Sequence, residues 1–414
     1  MSPALERVNA LAVDLHGRRI GIINRLGGDR HLFSFEQDYI DDVNRPTLSL
    51  SFKGQTGGLV TAFRPAARKL PPFFSNLLPE GHLRGYLAQK AGVKPEREFF
   101  LIAVLGSDLA GAVTIRPLDP EGRDIYQPEP QSGREEDRRQ GTGVLRFSLA
   151  GVQLKFSAMM EAHGGLTIQA HGVGGSWIVK LPSAQLPAMP ENEFVMLELA
   201  RAIGIRVPRT QLVPIAAIQA LPPDAARLQG RALAVERFDR DGGRRIHMED
   251  FAQVFGLFPD DKYERRSYAN IASVLWAETG DADTYEFVRR LVFSVLIGNG
   301  DMHLKNWSLL YPDTRKPVLS PAYDLVSTLP YIPDDRLALS FGGSRSLDGI
   351  TLDQARRFAD AARLPMKPVW DVVRETVGRT VASWKTLGPK DLLSAETGEA
   401  IGAQIEKVAA NTSR

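Results

Sequence analysis

Leu296-Ile-Gly-Asn-Gly-Asp-Met-His-Leu-Lys-Asn-Trp307 is the stretch on which the reading of this chain turns. The segment feeding into it, Phe287 to Ile297, is apolar on every helical face, which predicts a buried helix. Two glycines then break the helix, and five polar residues fall between Asn299 and Asn306. A buried helix that ends in this way presents Asp301, His303, Lys305 and Asn306 from a fixed platform, as a catalytic loop requires. A surface turn with ordinary caps is the plain alternative, and the density of functional groups argues against it.

The spacing Asp301-x-x-x-x-Asn306 is the one phosphoryl-transfer enzymes place on a catalytic loop. There the Asp accepts the proton of the acceptor hydroxyl and the Asn ligates magnesium. A second carboxylate is then required nearby, and Asp324, in Ser320-Pro-Ala-Tyr-Asp-Leu-Val-Ser327, follows in the right order. Phosphate charge also calls for a strand lysine. Lys180 closes the β-branched run Trp177-Ile-Val-Lys180, with Lys155 the competitor in the preceding strands. Glu193 on the next helix is the expected partner of that lysine, with Glu191 in reserve. Ala232–Asp239 reads as a lobe-connecting hinge whose backbone meets an adenine edge and whose Asp239 meets a ribose hydroxyl. Ser148, Gly151, Gln153 and Lys155, between two strands, form the expected phosphate loop. The glycine-rich His171–Ser176 directly precedes the Lys180 strand and reads as a hairpin turn instead.

Other chemistries lose their support. The chain has no cysteine, which removes disulfide frameworks, zinc knuckles, iron–sulfur clusters and thiol nucleophiles together. The P-loop, G-x-G-x-x-G, H-E-x-x-H and G-x-S-x-G signatures do not occur. Lys+Arg 51 against Asp+Glu 49 leaves a net charge of +2, so whole-chain charge does not announce a nucleic-acid binder. The longest uncharged stretch, Ala162 to Val179, is studded with Gly, His, Gln and Ser, and Glu6, Arg7 and Asp14 interrupt any early apolar core. No membrane association and a cytoplasmic location are expected.

Asp119 to Gly143 is dense in Pro, Gly and charge and has almost nothing to bury, which marks it as a linker. Residues 1–118 carry 15 basic and 11 acidic side chains, a small excess of +4. Strands are expected at Val8–Asp14, Ile20–Ile23, His31–Phe35, Thr47–Phe52 and Ala112–Ile115, with helices at Ala88–Gly92 and Glu96–Leu105. Beyond the linker, strands at Val144–Phe147, Val152–Ala158, Leu166–Ala170, Ser176–Leu181, Val207–Pro214 and Arg231–Phe238 surround a helix at Glu191–Ile203. Helices dominate after Met248: Asp250–Phe255, Ser267–Glu278, Asp283–Ile297, Leu352–Ala362, Pro368–Leu387 and Ser394–Ala410. An α+β chain with a strand-rich lobe before a helix-rich one follows, with a cleft between them for ligands.

With these residues assembled, the chain resembles the HipA family of serine/threonine kinase toxins along nearly its whole length. The matching segments are Phe73–Gly81, Ser148–Lys155, Ile178–Pro182, Ala232–Asp239, Gly298–Asn306 and Tyr323-Asp324. The resemblance implies a bilobal protein-kinase-like fold: a small α/β N-terminal domain (1–118), the linker (119–143), an N-lobe (144–239) and an all-helical C-lobe (240–414). By residue it implies Asp301 as catalytic base, Lys180 on the phosphates, and Asn306 and Asp324 as magnesium ligands. Ala150, Gly151, Val152, Gln153, Leu154 and Lys155 become the phosphate loop. Glu236, Phe238 and Asp239 become the nucleotide hinge, with His303, Lys305 and Tyr323 also near ATP. Ser148 matches the family's autophosphorylation serine; a phosphate adds about −1.5 to −2 of charge beside the ATP phosphates, which explains silencing. Leu154 stands where an acidic residue often precedes the loop lysine. The resemblance further implies ATP and Mg2+ as cofactors, a translation protein of the aminoacyl-tRNA synthetase class as substrate, and a helix-turn-helix antitoxin of HipB type. That antitoxin carries most of the contact with operator DNA, in a 2:2 complex formed from a kinase monomeric alone. The alternatives are an ATP-binding co-repressor without turnover, and a small-molecule kinase on the same fold.

Overall fold

A computed structural model describes residues 3–119, 121–123, 155–160, 166–168, 175–183, 185–221 and 225–412, and within it the chain forms two compact units. The first comprises Met1–Val179, Ala217–Pro222 and Asp239–Pro259; the second comprises Lys180–Ala216, Pro223–Phe238 and Asp260–Arg414. The expected strand Val144–Phe147 and the His171–Gly174 part of the expected turn lie outside the described residues.

The first unit begins with a hairpin. Strands Ala10–Leu15 and Arg18–Leu26 are joined by His16 and Gly17, both at positive φ (53° and 77°), the two-residue turn whose twist suits flanking strands. Arg30–Phe35 and Val113–Leu118 complete the antiparallel core, so that Ala10–Leu15 lies between Arg18–Leu26 and Val113–Leu118. Burial of Leu11, Ala12, Val13 and Leu15 shows that both faces of this central strand are covered. Aromatic rings fill one side: Phe33 meets Phe35 and Phe74 edge-on at 4.7 and 4.8 Å, and Phe52 meets Phe73 at 5.7 Å. A Cβ at Gly21 would overlap the Phe33 ring, which is why a glycine stands in mid-strand.

Thr47–Phe52 is not the expected strand. Leu50–Phe52 is a short 3-10 turn with Ser49 as its N-cap. The buried Glu249 accepts from Ser49 Oγ at 2.5 Å and from the Leu50 N–H at 2.9 Å, taking the groups a sheet ladder would need. His247 on the same short strand, His247–Asp250, donates from Nε2 to Leu48 O at 2.7 Å. Asn76 Nδ2 donates to Leu257 O at 2.8 Å and Gln253 Nε2 to Phe73 O at 2.9 Å. Residues 247–257 are therefore structural parts of the N-terminal unit.

In the second unit, strands Thr210–Pro214 and Arg231–Glu236 pair antiparallel, Val235 opposite Thr210, and the helix Met189–Ala202 packs on both. The helix Asp281–Leu296 is the central post, packed by Tyr268–Glu278, Met366–Thr386 and Ala395–Thr412. Every residue from Arg290 to Leu296 is buried, as the apolar pattern requires. Residues 240–414 are not all helical. Ser308–Tyr311 and Val318–Leu319 form an antiparallel pair directly after the loop, and Arg240–Asp241 pairs with Arg244–Arg245 in the first unit. Ser308-Leu-Leu-Tyr311 is too short and too bounded by turn residues to extend into a helix, and its backbone is satisfied by the partner strand instead.

Candidate active site

The loop at the heart of the site starts from a well-made helix end. Ile297 is the C-cap, Gly298 follows at φ 66°, the Gly298 N–H donates to Val295 O at 3.2 Å and the Asn299 N–H to Ser294 O at 2.8 Å. This pair of reversed bonds is the Schellman arrangement, and it sets the direction of the chain as it leaves the helix. A Cβ at Gly298 would overlap the Leu329 side chain.

Several of the backbone groups that follow are then held in place. Asn299 Oδ1 accepts from the Asp301 N–H at 3.1 Å, and Asn306 Nδ2 donates to Asp301 O at 2.7 Å. Trp307 Nε1 and Tyr268 Oη both donate to Met302 O, at 3.2 and 3.1 Å. The Gly300 N–H donates to Thr328 Oγ1 at 2.9 Å, and that hydroxyl also lies within bonding reach of Gly298 O and of Asp335 Oδ2. Asp301 is thus fixed through its backbone while its side chain keeps an exposed face. Its carboxyl is pushed above the ordinary carboxylate range, first by lost hydration; Asp324 and Asp335 push the same way, and the Tyr263 hydroxyl and Lys262 oppose.

A second cluster forms around Lys180. Its ammonium contacts Glu193 Oε1 and Asp324 Oδ1 together, and the lysine and the glutamate are both buried. Burial alone would lower the lysine pKa, but the two carboxylates outweigh it and raise it, so the charge is kept at any physiological pH. Glu191 points elsewhere, accepting from Arg231 Nε at 3.0 Å. Asp324 sits at φ 53°, a left-handed conformation that Asp tolerates better than most residues.

The segment carrying Asp324 is clasped from two sides. Asn192, next to Glu193, donates to Ser327 O at 3.0 Å and accepts from the Ser327 N–H at 3.1 Å. Arg290, on the central helix, donates to Ser320 O at 2.7 Å and to Glu286 Oε1 at 3.0 Å; burial brings its pKa down to about 10, still charged at neutrality. Lys305 and His303 are buried in the loop, and Tyr323 Oη donates to Lys305 O at 3.0 Å. Phe238 packs on Tyr323 at 5.6 Å between ring centres. Glu236 is half-buried, with Arg209 Nε 3.9 Å from its carboxylate.

Lys180, Glu236, Phe238, Asp301, His303, Lys305, Asn306, Tyr323 and Asp324 therefore all fall in the second unit. Lys155 and Asp239 fall in the first. Lys155 is buried at the start of the strand Lys155–Met160. Asp239 Oδ2 accepts from the Gly111 N–H at 2.8 Å and from Arg240 Nη1 at 2.7 Å, and Arg240 also pairs with the buried Asp108. That oxygen is committed to the unit's own interior. Ser148, Ala150, Gly151, Val152, Gln153 and Leu154 lie outside the described residues. Tyr263, Arg290, Thr328 and Asp335 carry no motif, and Tyr263 is set in the charged run Asp260–Arg266, so local sequence holds no signal for them.

Hard oxygen donors suit a magnesium ion, which takes few protein ligands and keeps waters or phosphates for the rest. Asn306 fits that role: with Nδ2 spent on Asp301 O, its Oδ1 has no hydrogen bond among the described residues. Among those residues no group of three His, Asp or Glu side chains forms a closed metal cage.

Fold and cluster together define a kinase-like protein of mixed α/β class. Sequence models of two domains match it, the HipA N-terminal domain over residues 11–116 and the HipA-like C-terminal domain over residues 147–384. The chain belongs to the HipA family. It is 53% identical over 384 residues to a Sinorhizobium fredii protein named “Putative kinase Y4dM”, covering 92% of each chain. To the serine/threonine-protein kinase toxin HipA of Shewanella oneidensis it is 28% identical over 377 residues, covering 83% of this chain and 82% of that one. The solved complex of Shewanella oneidensis HipA with HipB and operator DNA shares the fold, with a TM-score of 0.72 at 23% identity over 97% of each chain. No helix among the described residues is long and apolar enough to cross a membrane.

Proposed function

We propose that this chain is an ATP- and magnesium-dependent serine/threonine protein kinase, the toxin of a toxin–antitoxin pair. The observation that carries the reading is the buried Lys180 held between Glu193 and Asp324, in the same unit as the Asp301–Asn306 loop. Lys180 binds phosphate oxygens, and Glu193 keeps its ammonium aimed. Asp301 accepts the proton of the acceptor hydroxyl; its exposed face and fixed backbone suit that task. Asn306 through its amide oxygen and Asp324 through its carboxylate are the residues that would hold Mg2+, which when bound neutralises phosphate charge. Phe238 and Tyr323, their rings tilted against each other, supply an aromatic wall beside the adenine hinge at Glu236. Ser148 is the autophosphorylation site, and Lys155 with residues 150–154 is the phosphate loop. The substrate is a translation protein of the aminoacyl-tRNA synthetase class, and the partner is a helix-turn-helix antitoxin through which operator DNA is reached. The HipA–HipB–operator assembly of the Shewanella relative supports that partner.

Purified protein with labelled ATP tests the reading. Transfer to protein is expected in the wild type, with a loss of about a hundred- to ten-thousandfold in Asp301→Ala and unchanged ATP affinity. Bound nucleotide without transfer in the wild type would favour the co-repressor alternative.

A further inference from the structure

The Asp301 carboxylate already has a hydroxyl on it. Tyr263 Oη donates to Asp301 Oδ1 at 2.7 Å, and the tyrosine is 39% exposed. Its ring stands edge-on to His303 at 5.0 Å. The backbone around it is anchored on both sides: Lys262 O accepts from the Leu304 N–H at 3.2 Å, and Tyr263 O accepts from Arg345 Nη2 at 3.0 Å. The phenol is therefore delivered to the loop by a fixed stretch of chain, with freedom left only in the side chain.

A base that takes a proton from an acceptor hydroxyl must first accept a hydrogen bond from it. Tyr263 makes that same bond, O–H to carboxylate, and both residues are exposed to solvent. We propose that Tyr263 holds the place of the phosphoacceptor, so that an incoming serine or threonine hydroxyl must displace the phenol before transfer. The inference rests on the assignment of Asp301 as base. Nothing covalent is asked of Tyr263; it is an acceptor-site residue that sets how readily a hydroxyl, water included, reaches Asp301. A phenol in that position also discourages idle hydrolysis of ATP.

The test compares the wild type with Tyr263→Phe, which keeps the ring and its His303 contact. Three quantities are read: ATP hydrolysis without acceptor, phosphorylation of dephosphorylated casein, and the dissociation constant of casein with a non-hydrolysable ATP analogue. Place-holding predicts that Tyr263→Phe hydrolyses ATP about three- to tenfold faster and lowers KM for casein by a similar factor. It also predicts tighter casein binding with unchanged affinity for the analogue. A tyrosine that only orients the base gives the opposite split, a fall in kcat with KM and casein binding unmoved, and that result overturns the proposal, as does a variant equal to wild type. If neither chain turns over ATP, the kinase reading fails by itself. Casein binding then still decides the present one, equal affinities overturning it.

Discussion

Lys180 shows how much a single buried charge depends on its neighbours. Burial alone would pull its pKa down; with Glu193 and Asp324 against it, it stays an ammonium. The two carboxylates divide its position between them, and a phosphate group competes with that arrangement only if Glu193 keeps the ammonium from swinging wholly onto Asp324. Glu193→Gln should therefore leave the fold nearly as stable, because Lys180 retains one carboxylate, while raising the KM for ATP tenfold or more. Thermal melting beside steady-state kinetics checks both halves. Unchanged kinetics would remove Glu193 from the mechanism, and a large loss of stability would make it a packing residue instead.

At the scale of elements, the helix Leu352–Ala362 was readable to the residue, because Thr351 and Gln354 form a reciprocal cap around an apolar stripe. The loop after Leu296 was readable because its glycines and polar residues are crowded into one turn. Thr47–Phe52 misled, since its hydrogen-bonding partner, Glu249, lies 199 residues from Leu50. The supports of the loop, Thr328 and Asp335, were silent for the same reason: what they do depends on where the chain returns, and local pattern does not record it. Gly298 tests the cap itself. Gly298→Ala combines a left-handed backbone with overlap on Leu329, a cost of about 2–4 kcal/mol. Phosphoryl transfer should fall with it, since Asp301 is three residues on. Gly378, exposed on the helix Met366–Thr386 with open space where its Cβ would be, provides the contrast, and Gly378→Ala should stabilise by about 0.5–1 kcal/mol. Calorimetry that gave both variants the same sign would contradict the assigned cap.

The whole molecule is built from interleaved stretches, so that Asp239–Pro259 completes a unit begun at the N-terminus. That arrangement makes the first unit sensitive to acid through His247. The imidazole is fully buried, and its pKa is lowered to about 4, by burial first and by His16 in addition, against the bond to Leu48 O. Folded, it stays neutral down to that point, while unfolded it takes a proton near pH 6.5. Between those values the unfolded state binds more protons, so stability is lost as the pH falls from about 6.5 towards 4. From pH 7 to pH 5 the loss from this one residue is about 2 kcal/mol. His16 and His31, lowered mainly by burial, act in the same sense. Protection of the strands Ala10–Leu15 and Arg18–Leu26 against hydrogen exchange should drop accordingly at pH 5, once the intrinsic exchange rate is corrected for. In His247→Gln, which can still donate to Leu48 O but has no proton to gain, the drop should shrink by about that 2 kcal/mol. An equal drop in both chains would mean that the clasp between Leu48 and His247 opens before the histidine titrates, and that the N-terminal sheet stands without it.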